Sequence, residues 1–191
     1  MGQPEAGTSR KPRADSLRNR ARLLAAAKEV FGEGGSGASL EEVARVAGVG
    51  IGTLYRHFST RDALFEAVYR HEIDQLHDRS LTLSDEADPV EALRLWLRDG
   101  IAVIATKKGM LATLALAADG RQDLYAYSSD RMNASASALL ERAAAAGAIR
   151  EDITSEDLLR AMIGMCHNPD RAGWRTSALR LADVFVDGLR R

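Results

Sequence analysis

The chain has 191 residues, of which 46% are hydrophobic, and contains four prolines and one cysteine. This composition is typical of a folded globular protein and excludes a disulfide-stapled or low-complexity chain. The formal net charge of -1 hides an asymmetry, because residues 1–61 hold ten Lys/Arg against six Asp/Glu and residues 62–191 hold sixteen against twenty-one. A basic N-terminal part joined to an acidic body is typical of a two-part nucleic-acid-binding protein.

The first fifteen residues, MGQPEAGTSRKPRAD, are polar and basic and show no periodic apolar positions. They lack the apolar core of a secretory signal, and no apolar run in the chain approaches the roughly 20 residues that span a bilayer. We expect residues 1–15 to be a mobile basic arm in which Arg10, Lys11 and Arg13 contact phosphates or the minor groove of DNA. The expected compartment is the cytoplasm, without a membrane partner.

Residues 16–60 predict a cluster of three short helices. The first has apolar residues at helical spacing over residues 23–31 and stops at the glycine-rich segment 32–37. The second starts at Ser39, which forms a capping-box pattern with Glu42 three residues later.

The third helix of this cluster follows after a turn at Gly48. Its inward-facing residues are expected to be Ile51, Leu54 and Phe58. Two short helices joined by a glycine turn make a helix-turn-helix, a motif that many DNA-binding proteins share.

A longer helix is predicted over residues 61–80, capped by Thr60, and it would connect the helix-turn-helix to the rest of the chain. The polar stretch that follows ends at Asp88 and Pro89, which are a strong helix start. We expect residues 88–191 to form a second, helical domain without strands. After its first helix, further helical segments are expected at residues 108–119, 122–146, 155–167 and 174–189.

The string AGVGIGTLYRHFSTRDAL, residues 47–64, resembles the helix-turn-helix signature of the TetR family of bacterial transcriptional regulators. The preceding RLLAAAKEVFGEGGSGASLEEVA is similar to the first two helices of that family, and the resemblance is specific over residues 20–70. It implies an all-α fold in which an N-terminal three-helix DNA-binding domain is joined by a connecting helix to a C-terminal ligand-binding and dimerisation domain. It also places residues 50–58 in the major groove of DNA.

The side of the third helix that faces away from its inward residues is expected to face DNA. Arg56 is the expected base reader, because its guanidinium can donate two hydrogen bonds to a guanine edge. Thr53 is expected to touch a thymine methyl group or a phosphate. Gly52 lacks a side chain, so the helix backbone can approach the groove closely.

The resemblance also implies contacts that position the helix on DNA without reading its sequence. Tyr55 corresponds to a phosphate-bonding tyrosine, Arg61 to a lysine that follows the third helix, and Ser39 to a hydroxyl that meets the DNA backbone. The chain departs from the family pattern at Gly50 and Ile51, where many members carry Ser or Thr and Lys, so fewer polar groups face the groove. The expected DNA-binding residues are Ser39, Gly50, Gly52, Thr53, Tyr55, Arg56, His57 and Arg61.

The resemblance further implies a small-molecule effector bound in the C-terminal domain. Effector pockets are mainly apolar with a few polar groups, although the same residue types also fill an ordinary core. The expected lining residues are Trp96, Met110, Tyr125, Tyr127, Met132, Met162 and Trp174.

The last two helical segments each carry an apolar stripe at helical spacing. Similar family members pair these two helices across a twofold axis as a four-helix bundle, and an intramolecular core would use the same pattern. Two DNA-reading helices about 34 Å apart read a palindrome, which favours a homodimer. Its expected interface residues are Leu158, Met162, Ala178, Leu181, Ala182, Phe185 and Leu189.

No catalytic, metal or cofactor site is predicted. His71 and His77 are six residues apart, whereas a zinc-binding helix places two histidines four residues apart. Cys166 and His167 are adjacent, which points them about 100° apart on a helix and argues against a nucleophile and base pair.

The sequence therefore predicts a ligand-responsive repressor in the bacterial cytoplasm, at the nucleoid, rather than an enzyme. It would bind a palindromic double-stranded DNA operator as a homodimer and leave it when a small-molecule effector binds. Two alternatives remain open. One is an activator, or a regulator without a small-molecule effector, and the other is a small helical enzyme.

Overall fold

The computed structural model describes residues 10–34, 39–85, 88–111, 121–167 and 172–191. The chain divides into two compact units, Met1–Val68, which we call the head, and Tyr69–Arg191, which we call the body. The described residues form eight α-helices, which confirms the predicted all-α fold. They are α1 (Arg10–Gly34), α2 (Leu40–Ala47), α3 (Ile51–His57), α4 (Arg61–Leu83), α5 (Pro89–Leu111), α6 (Arg121–Ala145), α7 (Ser155–Met165) and α8 (Trp174–Asp187).

Helix α1 begins at Arg10, so the predicted arm over residues 1–15 is too long. Arginine, alanine and leucine are good helix formers, and Pro12 lies in the first turn, where no intrahelical donor is missing. A helix that extends past the core needs no apolar stripe, which is why apolar periodicity did not reveal these turns. Residues 1–9 and the side chains of the predicted arm cations Arg10, Lys11 and Arg13 lie outside the described residues.

The head has a core to which all four of its helical segments contribute. The rings of Phe31 and Phe65 stack with centroids 4.2 Å apart. Thr60 caps α4, because its hydroxyl accepts a hydrogen bond from the backbone N–H of Ala63 at 3.0 Å, as predicted. The buried apolar side chains of the head are Leu23, Leu24, Ala26, Ala27, Phe31, Val43, Ala44, Ala47, Leu54, Phe58, Leu64, Phe65 and Val68.

The body begins within α4 and continues into α5 through the predicted start at Asp88. The Asp88 carboxylate accepts hydrogen bonds from the backbone N–H groups of Val90 and Glu91, at 2.8 and 3.3 Å. Helix α5 then runs without interruption to Leu111. The prediction that a separate helical segment begins at residue 108 is therefore wrong. Two lysines favour helix there, and the single glycine at position 109 is tolerated. Residues 112–119 of that segment lie outside the described residues.

Helix α5 is the centre of the body core. Trp96 is completely buried, and its indole N–H donates to the carbonyl of Leu76 at 3.2 Å. At the other side of α5, Arg94 donates to the carboxylates of Asp183 and Asp187 on α8, at 3.3 and 2.6 Å. Ion pairs between charged groups with several donors fix two helices in register more firmly than apolar contact alone. None of the helices in the described ranges is long and apolar enough to cross a membrane.

Candidate nucleic-acid interface and ligand cavity

The turn between α2 and α3 depends on a glycine. Gly48 has a φ of +63°, in the left-handed region, and its N–H caps α2 by donating to the carbonyls of Ala44 and Arg45. Its own carbonyl accepts a hydrogen bond from Nη2 of Arg22 on α1, at 3.2 Å. A Cβ at this position would lie 2.5 Å from that same nitrogen. The backbone conformation therefore favours glycine in the turn between α2 and α3, and a side chain there would displace the end of Arg22.

The start of α2 is capped by Ser39, whose hydroxyl accepts from the backbone N–H of Glu42 at 3.1 Å. The reciprocal half of the predicted capping box is not made, because the Glu42 carboxylate instead accepts two hydrogen bonds from Arg45, at 2.8 and 2.6 Å. These bonds hold the pKa of Glu42 below its usual range. The Ser39 hydroxyl remains exposed and still has its own proton to donate, which suits the predicted contact with a DNA phosphate.

Two buried apolar side chains anchor α3, one within the helix and one directly after it. Leu54 and Phe58 are buried, as predicted, whereas Ile51 is 37% exposed, so the prediction that it packs inward is wrong. Ile51 lies in the first turn, about 60° around the helix axis from Leu54, and the core does not extend over it. Tyr55 is 48% exposed and lies one turn after Ile51. The accessible side of α3 is therefore more apolar than the sequence pattern indicated.

The predicted base readers lie together on α3. The guanidinium of Arg56 donates to the hydroxyl of Thr53 at 2.8 Å and to the carbonyl of Gly52 at 3.3 Å. Arg56 is exposed, and Thr53 is partly exposed. A Cβ built on Gly50 or Gly52 meets no other atom within 4 Å, so the helix surface is open on both sides of these readers.

Two arginines of the head stack on aromatic rings. The guanidinium carbon of Arg61 lies 5.3 Å from the ring centroid of Phe31 and 5.2 Å from that of Phe65. Arg20 stacks on Phe58 in the same way, at 5.2 Å. Cation–π contacts of this kind stabilise a fold by about 0.5 to 2 kcal/mol. Arg61, predicted from the resemblance as a phosphate contact, is thus also a packing residue of the head.

His57, the remaining predicted contact, is the last residue of α3 and is half-buried. Its ring centroid lies 6.2 Å from that of Phe58. Sequence reasoning missed Arg20 and Arg22 of α1, which hold the turn and the end of α3 in place. The cluster of arginines at positions 18, 20 and 22 was the available signal, but it falls after the predicted arm and carries no motif.

The body contains a cavity of about 570 Å³. Apolar side chains dominate its lining, and the hydroxyls of Ser128 and Ser129 and the amide of Asn133 supply its polar groups. At its edge, Glu156 and Arg160 form an ion pair at 2.5 Å. The lining residues are Tyr69, Ile73, Gly100, Val103, Ile104, Tyr125, Ser128, Ser129, Met132, Asn133, Glu156, Leu159, Arg160, Met162 and Ile163.

The cavity brings together three of the seven predicted lining residues, namely Tyr125, Met132 and Met162. Trp96 and Trp174 do not line it and instead belong to the core or pack against it. Both are large apolar side chains, and composition alone does not separate a core residue from a pocket residue. The side chain of Met110 lies outside the described residues.

Tyr127, the other predicted lining residue, takes part in a polar cluster that joins α4 to α6. Its hydroxyl donates to Asp74 on α4, which also accepts from Nε of Arg131 at 3.1 Å. The hydrogen bond to Asp74 raises the pKa of Tyr127. The guanidinium carbons of Arg70 and Arg131 lie 4.6 and 5.3 Å from the Tyr127 ring centroid. Tyr127 thus turns toward α4 rather than into the cavity.

The predicted dimer stripe faces the core of its own chain at most positions. Five of its seven residues are buried within the body, and they are Leu158, Met162, Ala178, Ala182 and Leu189. Apolar periodicity shows which side of a helix is buried but not what buries it, so these five residues are core residues of their own chain. Leu181 is 47% exposed and Phe185 partly exposed, and the other exposed apolar side chains of α7 and α8 are Ile163, at 62%, and Val184, at 64%.

The described residues contain no group of three or more His, Cys, Asp and Glu side chains that could hold a metal ion. Cys166 is a buried cysteine at the end of α7.

Comparison with known proteins assigns both parts of the chain. Residues 23–68 match the family described as "Bacterial regulatory proteins, tetR family", and residues 88–191 match "Transcriptional regulator SbtR-like, C-terminal domain". The crystal structure of the TetR transcriptional regulator SCO0520 from Streptomyces coelicolor is 44% identical with a TM-score of 0.79, over 90% of this chain and 98% of that one. A TetR transcription regulatory protein from Mycobacterium vanbaalenii is 32% identical with a TM-score of 0.77, over 94% and 99% of the two chains.

Among curated proteins, the HTH-type transcriptional regulator SAR0097 of Staphylococcus aureus is 33% identical over 100 residues. That match covers 51% of this chain and 50% of the relative, so the chain spans about half the length of that protein. Together with the helix-turn-helix geometry of α2 and α3, these matches show that the chain is a DNA-binding regulator and belongs to the TetR family of bacterial transcriptional regulators.

Proposed function

We propose that the chain is a ligand-responsive repressor. It binds a palindromic operator in the cytoplasm as a homodimer, and it leaves the operator when a small molecule occupies the body cavity. The observation that carries this proposal is that Tyr69 and Ile73, two lining residues of the cavity, belong to α4. The same helix supplies Leu64, Phe65 and Val68 to the core of the head.

A ligand in the cavity touches α4 directly. Any displacement of α4 that the ligand favours is carried along an unbroken helix of 23 residues. The ligand weakens DNA binding only by its preference for one conformation over the other, typically about 1 to 3 kcal/mol. That coupling corresponds to a decrease in DNA affinity of about 5- to 150-fold.

A second connection links the cavity to α4. Helix α6 lines the cavity through Tyr125, Ser128, Ser129 and Met132, and it holds α4 through the bonds of Tyr127 and Arg131 to Asp74. A ligand that moves α6 therefore displaces α4 through a hydrogen bond and an ion pair. The lining is mostly apolar, and its charged residues Glu156 and Arg160 pair with each other. Such a lining suits an effector that is predominantly apolar and uncharged.

The proposed dimer uses the exposed apolar side chains of α7 and α8, with Ile163, Leu181 and Val184 at its centre. Helices α7 and α8 pack against each other, so these exposed side chains lie on neighbouring elements, and a contiguous apolar patch is typical of an interface. Val184→Asp is expected to give a monomer in analytical ultracentrifugation without unfolding the body, because Val184 contributes little to the core. Ala172→Asp, on the exposed turn before α8, serves as a charge-matched control. If the Val184→Asp variant remained a dimer, the interface would have to lie elsewhere.

The ligand is tested with a panel of uncharged, apolar metabolites in a thermal-shift assay. Compounds that raise the melting temperature are then added to the protein on a duplex selected from a random-sequence library, with affinity followed by fluorescence anisotropy. Met132→Trp, which fills part of the cavity, is expected to keep DNA binding and to lose the response to these compounds. A compound that releases wild type and Met132→Trp equally would show that the cavity is not the effector site.

Activation is the second candidate, because the curated transcriptional activator FasR of Mycolicibacterium smegmatis is 39% identical over 75 residues, 39% of this chain and 34% of that protein. A reporter placed behind the selected operator separates the two directions of control. Higher reporter expression in cells that lack the regulator indicates repression, and lower expression indicates activation.

A further inference from the structure

We propose that Ile51 reads the methyl group of a thymine in the operator. This inference deepens the proposed function, since it rests on α3 entering the major groove. It identifies an apolar contact as one determinant of the operator sequence, beside the hydrogen-bonding reader Arg56.

Ile51 is the first side chain of α3 and lies between two glycines. It is the first residue of the helix, and 37% of its surface is accessible. Gly50 and Gly52 on either side have no side chain, and a Cβ built on either one meets nothing within 4 Å. Ile51 is therefore the only side chain across three consecutive positions of the accessible surface.

The chemistry of the groove selects the partner. An aliphatic side chain neither donates nor accepts a hydrogen bond, so it gains free energy only by removing apolar surface from water. Base edges in the major groove present hydrogen-bond donors and acceptors, and the C5-methyl of thymine is their one apolar group. Covering a donor or acceptor with Ile51 would cost its desolvation. The favourable position for Ile51 is thus against a thymine methyl.

One neighbouring apolar side chain serves as a matched control, and one DNA-contact candidate is the rival methyl reader. Val46 on α2 is 36% exposed, almost the same fraction as Ile51, so Val46→Ala is the control. Thr53 also carries a methyl group, and its hydroxyl accepts a hydrogen bond from Arg56 at 2.8 Å. Thr53→Ser removes that methyl group and keeps the hydroxyl, so it tests the rival.

The test uses the full chain and a duplex that wild-type protein selects from a random-sequence library. Each thymine of that duplex is replaced in turn by deoxyuridine, which lacks only the methyl group, and affinity is measured by fluorescence anisotropy. We expect at least one position in each half-site at which wild-type binding weakens about fourfold, the effect of exposing one buried methyl group. Ile51→Ala is expected to bind the thymine and uracil duplexes equally at that position.

Ile51→Ala should fold normally, because the side chain is exposed and alanine has the higher helix propensity; far-UV circular dichroism checks this. Val46→Ala is expected to keep the fourfold difference. An unchanged difference in Ile51→Ala, or its loss in Val46→Ala or Thr53→Ser instead, would overturn the inference. So would a selected duplex in which no thymine can be replaced at a cost. Failure to select any duplex would count against the proposed function itself, and the two failures are therefore distinct.

Discussion

Replacing Gly48 by alanine is expected to lower the free energy of unfolding by about 2 kcal/mol. A φ of +63° costs a residue with a side chain about 1 to 2 kcal/mol. The new methyl carbon would also lie 2.5 Å from Nη2 of Arg22, which must move and lose its hydrogen bond to the Gly48 carbonyl. An exposed hydrogen bond contributes about 0.5 to 1.5 kcal/mol, so the two effects together come to about 2 kcal/mol.

The chain provides a matched control for the backbone part of this cost. Gly147 has a φ of +66°, but a Cβ there meets nothing within 4 Å, so Gly147→Ala is expected to cost the backbone part alone, about 0.5 to 1.5 kcal/mol less than Gly48→Ala. In the Arg22→Ala background, Gly48→Ala should likewise fall to the backbone cost alone, since the side chain in the way is gone.

Urea unfolding followed by far-UV circular dichroism measures these differences over both units. Tryptophan fluorescence reports the body alone, because the two tryptophans, Trp96 and Trp174, both lie in it. Equal costs at the two glycines, or a Gly48→Ala cost that does not change when Arg22 is removed, would refute the role assigned to Arg22 in the turn.

Three other substitutions test separate parts of the structure. Hydrogen bonds from Arg98 and Arg94 hold the pKa of Asp183 below its usual range, so the stability it adds is present above about pH 4 and is lost as the pH falls further through the lowered pKa. Asp183→Asn should therefore have a lower melting temperature than wild type at pH 7, and its melting temperature should fall less on acidification. Equal decreases in melting temperature for the two proteins would contradict this. Arg61→Ala should lower the melting temperature and weaken binding to all DNA duplexes alike. Arg56→Ala should keep the melting temperature and reduce the difference in affinity among duplexes. Identical behaviour of the two variants would contradict the separation of positioning from base-reading residues. Trp96→Phe, which removes the indole hydrogen bond to the Leu76 carbonyl and part of a fully buried side chain, should cost about 1 to 3 kcal/mol in urea unfolding, and a neutral result would show that neither contact stabilises the body.

The sequence predicted most of the head because its signals are local. A serine or threonine before a helix, a glycine after one and apolar residues at helical spacing each act within a few residues, and Ser39, Thr60, Gly48 and Leu54 lie where these rules place them. The same rules did not predict the exposure of Ile51, because the exposure of a residue in the first turn of a helix depends on how far the rest of the core extends.

The body was harder to predict for a physical reason. An apolar stripe is the same whether it meets its own chain or a partner, and Leu158 and Ala178 proved to meet their own chain. Large side chains likewise suit a core or a cavity equally well, so Trp96 and Met132 were indistinguishable until their neighbours were known. The polar cluster around Asp74 joins residues more than 50 positions apart, and no local pattern announces it.

The continuity of α4 has a consequence for building artificial sensors from this chain. The boundary between the two units falls inside the helix, after Val68, so a chimera that takes its head from here and its body from another regulator must be spliced in helical phase. One inserted residue turns everything after it by about 100°, whereas seven residues restore the phase to within about 20°. Splices should therefore be scanned in steps of one residue, and working sensors should recur with the period of the helix.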